Sequence, residues 1–406
     1  MHLLDEHLQT TKTYRQQILD SYKKSSLFQK EPSETTMTLQ DIAYHANVYS
    51  RYMKKNIKRK IYSLSPVKAH KLSIGHKERI IFKATDSDKI IQNCIYQFLT
   101  LKIKHYTLPN VYGFIKKRSI YQAIKQLSRY IKENRSNNKC DLYVWKIDIQ
   151  NFTDCIPISP NAPIWRILKD YLHYYDDSCD ISDYVWNLLK QFLTPVVQGN
   201  GPYQNAMGLP MGSSLVALIS VIYLKELDTC LATIDNQFYM RYGDDILIAH
   251  TNPEVILKSQ EMTKKILQSL GLSINKSKEE LIYLTVCGRK NNNYPQFRNS
   301  NKVDIYGHSL NGHGNIEMMH DKKVIIMKEI ASIIHNVLNV VENNDINVQG
   351  RTICDILSAY FTNSIYRKNS KIYQLLASCN DRTYLTKIDH DIAYMISKKL
   401  TAISNI

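Results

Sequence analysis

Phe238-Tyr-Met-Arg-Tyr-Gly-Asp-Asp-Ile-Leu-Ile-Ala-His250 is the stretch on which the reading of this chain turns. Two short runs rich in β-branched and aromatic residues, 238–242 and 246–250, flank Gly243-Asp244-Asp245. That composition predicts two strands joined by a tight hairpin with two adjacent carboxylates at its tip. Taken alone, Gly-Asp-Asp is an ordinary turn, so its meaning depends on its surroundings. Upstream, Leu142-Tyr-Val-Trp-Lys-Ile-Asp-Ile149 reads as a buried strand ending on a further acid, Asp148. If these segments pair in one sheet, the three carboxylates converge. Such a set suits phosphoryl transfer, in which acidic side chains hold two Mg²⁺ ions roughly 3.5–4 Å apart. Mg²⁺ accepts this sparse all-oxygen shell because substrate phosphates and water complete it.

Gly208-Leu-Pro-Met-Gly-Ser-Ser214 is a turn-rich loop leading into an apolar helix over 215–227, capped by Ser213 or Ser214. Ile120, Ile124, Leu127 and Ile131 recur at helical spacing, and the polar run 133–139 reads as the loop that ends this helix. Lys290-Asn-Asn-Asn-Tyr-Pro295 is a second loop, and Asp154 and Asp228 read as solvated acids. Val324, Met327, Ile330, Ile334 and Val337 mark a further amphipathic helix, with a helical remainder. The fold class is α+β at the centre and α in the tail.

At 406 residues the chain has room for about two to three domains of roughly 150 residues. With 44% hydrophobic and 22% charged residues it is neither a disordered chain nor a polytopic membrane protein. Lys and Arg number 53 against 37 Asp and Glu, a net +16, which favours a polyanionic partner such as nucleic acid or an acidic membrane surface. The most apolar run, 215–224, is about half the roughly 20 residues that span a bilayer, and the N-terminus lacks a basic-then-apolar signal. No membrane association and a cytoplasmic location are therefore expected. Eight cysteines, at 94, 140, 155, 179, 230, 287, 354 and 379, form no Cys-x-x-Cys pair, so reduced and mostly buried thiols are expected.

Four further segments complete the pattern: Lys77-Glu-Arg-Ile-Ile-Phe-Lys-Ala-Thr-Asp-Ser-Asp-Lys-Ile-Ile-Gln92, Tyr112-Gly-Phe-Ile-Lys-Lys-Arg-Ser119, Gly271-Leu-Ser-Ile-Asn-Lys-Ser-Lys278 and Val303-Asp-Ile-Tyr-Gly-His308. Together with Asp148-Ile-Gln-Asn-Phe-Thr-Asp-Cys-Ile156, the 208–228 segment and Tyr242-Gly-Asp-Asp245, they resemble the ordered motifs of reverse transcriptases across residues 75–310. The resemblance is to the bacterial lineage of group II intron, retron and defence-associated or abortive-infection enzymes. It implies a right-hand polymerase: an N-terminal helical fingers extension (1–75), a fingers-palm domain (76–310) and an α-helical thumb-like region (311–406).

The same resemblance implies roles residue by residue. Asp148, Asp244 and Asp245 are catalytic and hold two Mg²⁺, a place Mn²⁺ can also take, and Lys278 is the general acid that protonates leaving pyrophosphate. Arg79 faces the incoming triphosphate, and Phe152, Thr153, Met211 and Gly212 line the nucleotide. Lys116, Lys117 and Arg118 lie near the template, and Tyr306 and Gly307 form the primer grip. The implied activity is RNA-directed synthesis of a DNA product from dNTPs, on an RNA template or noncoding RNA, in antiviral defence with an accessory defence protein.

Departures from the family pattern keep alternatives open. Thr153 stands where a bulky aromatic usually blocks a ribose 2′-OH, Met211 replaces the usual Gln, and Val216-Ala217 and Val221 replace the familiar Ser-Pro and Asn. Neighbouring Phe152 takes the gate if the register differs by one. The Val-Thr-Gly element of retrons, a ribonuclease H acid set and a Cys/His-rich endonuclease module are not recognisable. A template-independent polymerase, an RNA-dependent RNA polymerase and a non-catalytic maturase-like RNA scaffold are the other readings. Lys54-Lys55, Lys58-Arg59-Lys60, Lys116-Lys117-Arg118 and Lys322-Lys323 are candidate phosphate contacts, and Tyr49, Tyr52 and Tyr62 are candidates for stacking on unpaired bases.

Overall fold

The computed structural model describes residues 1–25, 39–74, 77–138, 141–178, 180–199, 201–202, 208–286, 293–340, 351, 355 and 379–404. Four helices, α1 (Leu3–Leu8), α2 (Thr11–Ser25), α3 (Leu39–Tyr44) and α4 (Ala46–Lys58), precede an antiparallel hairpin of β1 (Lys68–Ile74) and β2 (Lys77–Lys83). Next come α5 (Asp86–Tyr106), β3 (Val111–Tyr112), α6 (Ile120–Asn138), β4 (Leu142–Asp148), α7 (Phe152–Cys155), α8 (Pro163–Tyr175) and α9 (Asp183–Leu193). A short ladder of β5 (Val196–Val197) and β6 (Gly201–Pro202) leads to α10 (Ser214–Tyr223), α11 (Lys225–Ala232), β7 (Phe238–Tyr242), β8 (Asp245–His250) and α12 (Pro253–Ser269). The chain then forms β9 (Glu280–Leu284), β10 (Arg298–Ser300), β11 (Lys302–Ile305), β12 (His308–Asn311), β13 (Ile316–Met318), α13 (His320–Val340) and α14 (Arg382–Ser404).

The central sheet has the order β10-β9-β4-β8-β7-β3. β4 lies inside it, antiparallel to both β8 and β9, and side-chain alternation along it serves two cores. Trp145 and Ile147 join Ile246 and Ile248 in the larger cluster, against α5 and the α8–α12 helices. Leu142 and Val144 join Leu247, Ala249 and Ile282 in the smaller cluster under α6 and β11–β13. Burial on both faces is what a β-branched and aromatic run predicts.

Several elements differ from the sequence expectation. α6 continues to Asn138 through its polar run, because polar residues on a solvated helix face need not end a helix. The helix expected over 215–227 breaks at Leu224 into α10 and α11, where the Val221 carbonyl accepts from the Arg241 guanidinium at 3.0 Å. Ser213, not Ser214, caps α10, accepting from the Val216 amide at 3.2 Å. On α13 the buried positions are Ile326 and Ile330, while Val324 is exposed; the side chains of Ile334 and Val337 lie outside the described residues. The sheet β11-β12-β13 runs from Lys302 to Met318, across position 310, and residue 75, between β1 and β2, lies outside the described residues. Cys94 and Cys379 are buried and Cys155 and Cys230 half-buried; Cys140, Cys179, Cys287, Cys354 and the loop residues 290–292 lie outside the described residues. Among the described residues no helix is long and apolar enough to cross a membrane.

Candidate active site

The β7–β8 hairpin closes with Tyr242 opposite Asp245, leaving Gly243 and Asp244 as a two-residue turn. Gly243 has φ +65°, and only this first turn residue needs a positive φ, the pattern of a type II′ hairpin. In the β4–β8 register Asp148 stands directly opposite Asp245, on one face of the sheet, and the Ile149 amide donates to the Asp244 carbonyl at 3.1 Å. The three carboxylates thereby offer oxygens that all lie within 4.8 Å of one another. Asp148 is buried and Asp244 and Asp245 half-buried. Like charges directly opposite on a ladder repel, so this arrangement costs stability unless a cation is present.

The electrostatics show that cost. Burial, then the charges of Asp244 and Asp148, push the Asp245 carboxyl up to about 6. Burial and Asp148 also raise Asp244, against the opposing pull of Lys278 and Arg79. An all-oxygen, mutually repelling trio fits a hard divalent cation such as Mg²⁺, which such sites bind through a few carboxylates. Lys278 partly fills this need: its ammonium lies 2.9 Å from Asp148 Oδ1, and that hydrogen bond holds it above the ordinary lysine range. The turn Lys276–Lys278 that carries it is capped by Asn275. The Asn275 backbone amide donates to the Asp148 carbonyl at 2.8 Å, and its side-chain amide to Asp148 Oδ2 at 3.2 Å.

The residues expected to line a nucleotide gather around a contact between the β1–β2 hairpin and the 208–212 loop. The Phe82 amide donates to the Met211 carbonyl at 2.7 Å. Gly212 has φ +132°, and a Cβ there would sit 2.7 Å from both Ile81 Cγ2 and the Phe82 carbonyl, so only glycine allows this approach. At its other end the loop is tied to α7, with the Leu209 amide donating to the Thr153 carbonyl at 2.9 Å. Phe152 is packed into the larger core, while Thr153 is half-buried. Arg79 is exposed on β2, and its charge is felt at Asp244. Behind the loop lies a cavity of about 300 Å³, lined among others by Phe82, Gln92, Phe192, Pro210 and Gly212, and none of the three carboxylates borders it.

Lys116 and Lys117 are exposed. Arg118 is not available in the same way: its guanidinium donates to the carbonyls of Lys104 (2.7 Å), Leu108 and Val111 (3.0 Å), clamping the C-terminal end of α5. These donors are engaged on backbone, so in this fold the guanidinium braces the end of α5. Tyr306 and Gly307 form the β11–β12 turn. The Tyr306 ring packs 5.4 Å from that of Tyr242 and its hydroxyl donates to the Asp245 carbonyl at 3.4 Å, which places this turn against the carboxylate hairpin.

Two features escaped the sequence reading. Asp228 is buried, not solvated: with Arg241 it forms an ion pair at 2.7 Å, and both side chains are almost wholly inaccessible. Tyr239 donates to the same carboxylate at 2.6 Å, and Arg241 also donates to the Gly243 carbonyl at 2.9 Å, so the network braces the carboxylate turn from behind. The available signal was Arg241 itself, a charge amid the apolar alternation of a predicted inner strand. Asn275 is the second, and its only sequence mark was an Asn directly before a polar turn.

Comparison with known proteins follows the same lines. A family model described as "Reverse transcriptase (RNA-dependent DNA polymerase)" matches residues 69–310, more than half of the chain. No curated protein matches. Among solved structures, apo telomerase from Candida tropicalis aligns at 12% identity over 98% of this chain and 81% of that one, with a TM-score of 0.50. Telomerase from Candida albicans, solved with a TWJ fragment of telomeric RNA, aligns at 14% identity over 91% of this chain (TM-score 0.49), and a C-terminally truncated apo telomerase from Candida tropicalis at 14% over 68% (TM-score 0.47). The chain spans 65% and 60% of the lengths of these last two.

Proposed function

Because the chain belongs to the reverse transcriptase family, the RNA-dependent DNA polymerases, we propose that Asp148, Asp244 and Asp245 are the catalytic carboxylates of an RNA-directed DNA polymerase. The observation that carries this reading is their convergence within 4.8 Å from two adjacent strands. The three residues would hold two divalent cations, Mg²⁺ or Mn²⁺, whose chemistry is to activate the attacking 3′-oxygen and to neutralise charge at the leaving group.

The chain's own residues do the remaining work. Asn275 fixes Asp148 twice, its backbone amide donating to the Asp148 main-chain carbonyl and its side-chain amide to the carboxylate. Lys278, kept protonated by its setting, is the proton donor to leaving pyrophosphate. Arg79, carried on a hairpin tied to Met211, binds the triphosphate, and Thr153, Met211 and Gly212 border the sugar and base, with Phe152 supporting them from the core. Tyr306 and Gly307 position the primer end beside Tyr242, and Lys116 and Lys117 contact template phosphates.

Thr153 supports a second reading, use of ribonucleotides, since a threonine leaves room at the position where a bulky ring would exclude a 2′-OH. The finer assignment, to bacterial antiviral defence with a noncoding RNA and an accessory protein, rests on the sequence elements alone. Phage plaque counts in cells carrying wild type or Asp244→Asn test it.

The central test uses the purified chain with its co-purifying nucleic acid, Mg²⁺ and labelled dNTPs or rNTPs. DNA complementary to a bound RNA is the expected product. Asp244→Asn should reduce incorporation to background with RNA binding retained, because it removes a metal ligand and not a phosphate contact; wild-type synthesis by this variant would overturn the assignment.

A further inference from the structure

Between Asp41 and Glu78 the chain has 36 residues with no Asp or Glu and nine Lys or Arg, at 51, 54, 55, 58, 59, 60, 68, 71 and 77. This stretch supplies more than half of the net +16. Helix α4 runs through it and buries one side, Ala46, Ser50, Met53 and Ile57, against the body of the protein. At 3.6 residues per turn the other side presents Val48, Arg51, Tyr52 and Lys55, with Arg59 one turn on. Tyr52 is 53% and Val48 61% exposed, and Tyr44, just before the helix, is 86% exposed. Among the described residues no carboxylate pairs with Arg51, Lys54, Lys55, Lys58, Arg59 or Lys60.

Of the three tyrosines expected to stack, two are occupied. The Tyr49 hydroxyl shares a 2.6 Å hydrogen bond with Ser87, and Tyr62 donates to Asp88 at 2.7 Å. Both bonds hold this region against the start of α5, next to the end of β2. Tyr52 stays open, its ring backed by that of Tyr49 at 5.7 Å, and Tyr44 is backed by His45 at 4.9 Å.

A solvated helix face ordinarily mixes both charge signs and exposes few large rings. This one alternates unneutralised cations with supported, open aromatic faces. Cations at this spacing suit phosphates, and open rings suit base faces, which a duplex hides and an unpaired strand displays. An anionic membrane would call for a broad aliphatic side, whereas the aliphatic residue on this helix face is Val48. We propose that the face running from Tyr44 to Arg59 is a second nucleic-acid surface, which holds an unpaired strand outside the carboxylate site.

The test measures binding by fluorescence anisotropy with labelled oligouridylate and oligothymidylate of about 20 nucleotides, long enough for an extended site, and with a blunt RNA–DNA hybrid. The full chain carrying Asp244→Asn is used without nucleotides, so the result is independent of polymerase chemistry. Tyr44→Ala with Tyr52→Ala should weaken binding of the unpaired strands about tenfold or more while hybrid binding changes by less than about threefold, as stacking is lost and phosphate attraction is kept. Phe at both positions should restore affinity. Lys55→Glu with Arg59→Glu should flatten the plot of log affinity against log salt by at least about 1.4, two phosphates at roughly 0.7 each. The ratio of the two oligonucleotide affinities identifies the strand. Unchanged affinity in both variants, equal loss for hybrid and unpaired strands in the tyrosine variant, or loss of self-association in sedimentation with affinity intact would overturn the proposal.

Discussion

At the scale of single residues, Asp245 carries the clearest conflict between stability and a proposed role. Its carboxyl titrates at about 6 in the folded protein against roughly 3.9 in an unfolded chain. The folded state therefore binds the proton more tightly, and the ion-free protein loses stability as pH rises from about 4 through 6, by at most about 3 kcal/mol above that range. Asp245→Asn should raise the melting temperature in EDTA at pH 7.5 while removing polymerisation. Mg²⁺ should raise the melting temperature of the wild type and not of the variant. Protons compete for the same oxygens, so the Mg²⁺ needed for half-maximal stabilisation should rise as pH falls below 6. A variant that melts below the wild type in EDTA would show that the repulsion is already relieved. Thr153 is the second residue of consequence: Thr153→Phe should lower ribonucleotide relative to deoxyribonucleotide incorporation in a competition assay, and an unchanged ratio would mean this side chain is not the gate.

At the scale of elements, the break between α10 and α11 and the β7–β8 hairpin are one unit joined by Arg241 and Asp228. A buried pair of this kind is costly to halve, because the remaining charge keeps its desolvation penalty without its partner. Asp228→Ala should destabilise the protein by about 3–5 kcal/mol in denaturant unfolding. Adding Arg241→Met should recover a large part of that loss, since the double variant leaves no orphan charge. Additive losses would argue that the two side chains act separately. The same network touches the Gly243 carbonyl, so stability and the placement of Asp244 and Asp245 depend on one set of hydrogen bonds.

At the scale of the whole molecule, the C-terminal segment is tied back to the palm. Asn380 accepts from the Ile316 amide at 2.6 Å and donates to Ser128 at 3.3 Å, Tyr384 donates to the Met318 carbonyl at 3.2 Å, and Lys323 meets Asp391 at 2.6 Å. β13, α6 and the residues leading into α14 thus share contacts across more than 250 positions of sequence. Asn380→Ala should cost about 1 kcal/mol in denaturant unfolding by leaving the Ile316 amide without its partner. No change would mean that α14 docks without this bond.

Local chemistry was legible in the chain itself. Val, Ile and aromatic runs marked β4, β7 and β8, a Gly-Asp pair marked the β7–β8 turn, and three acids at strand ends and a hairpin tip named the candidate site, because strand propensity and turn geometry depend on neighbours in sequence; that Asp148 stands opposite Asp245 was decided by the long-range pairing of β4 with β8. What only the tertiary structure decided depends on partners far along the chain. Arg118 reads as a phosphate contact until the end of α5 takes its donors, and Asp228 reads as a surface acid until Arg241 meets it inside the core. Asn275 gains its role only when its turn lands on Asp148. A charged or amide side chain has the same composition in water and in a core; burial and the partner at hydrogen-bond distance decide which it is, and both are properties of the folded chain.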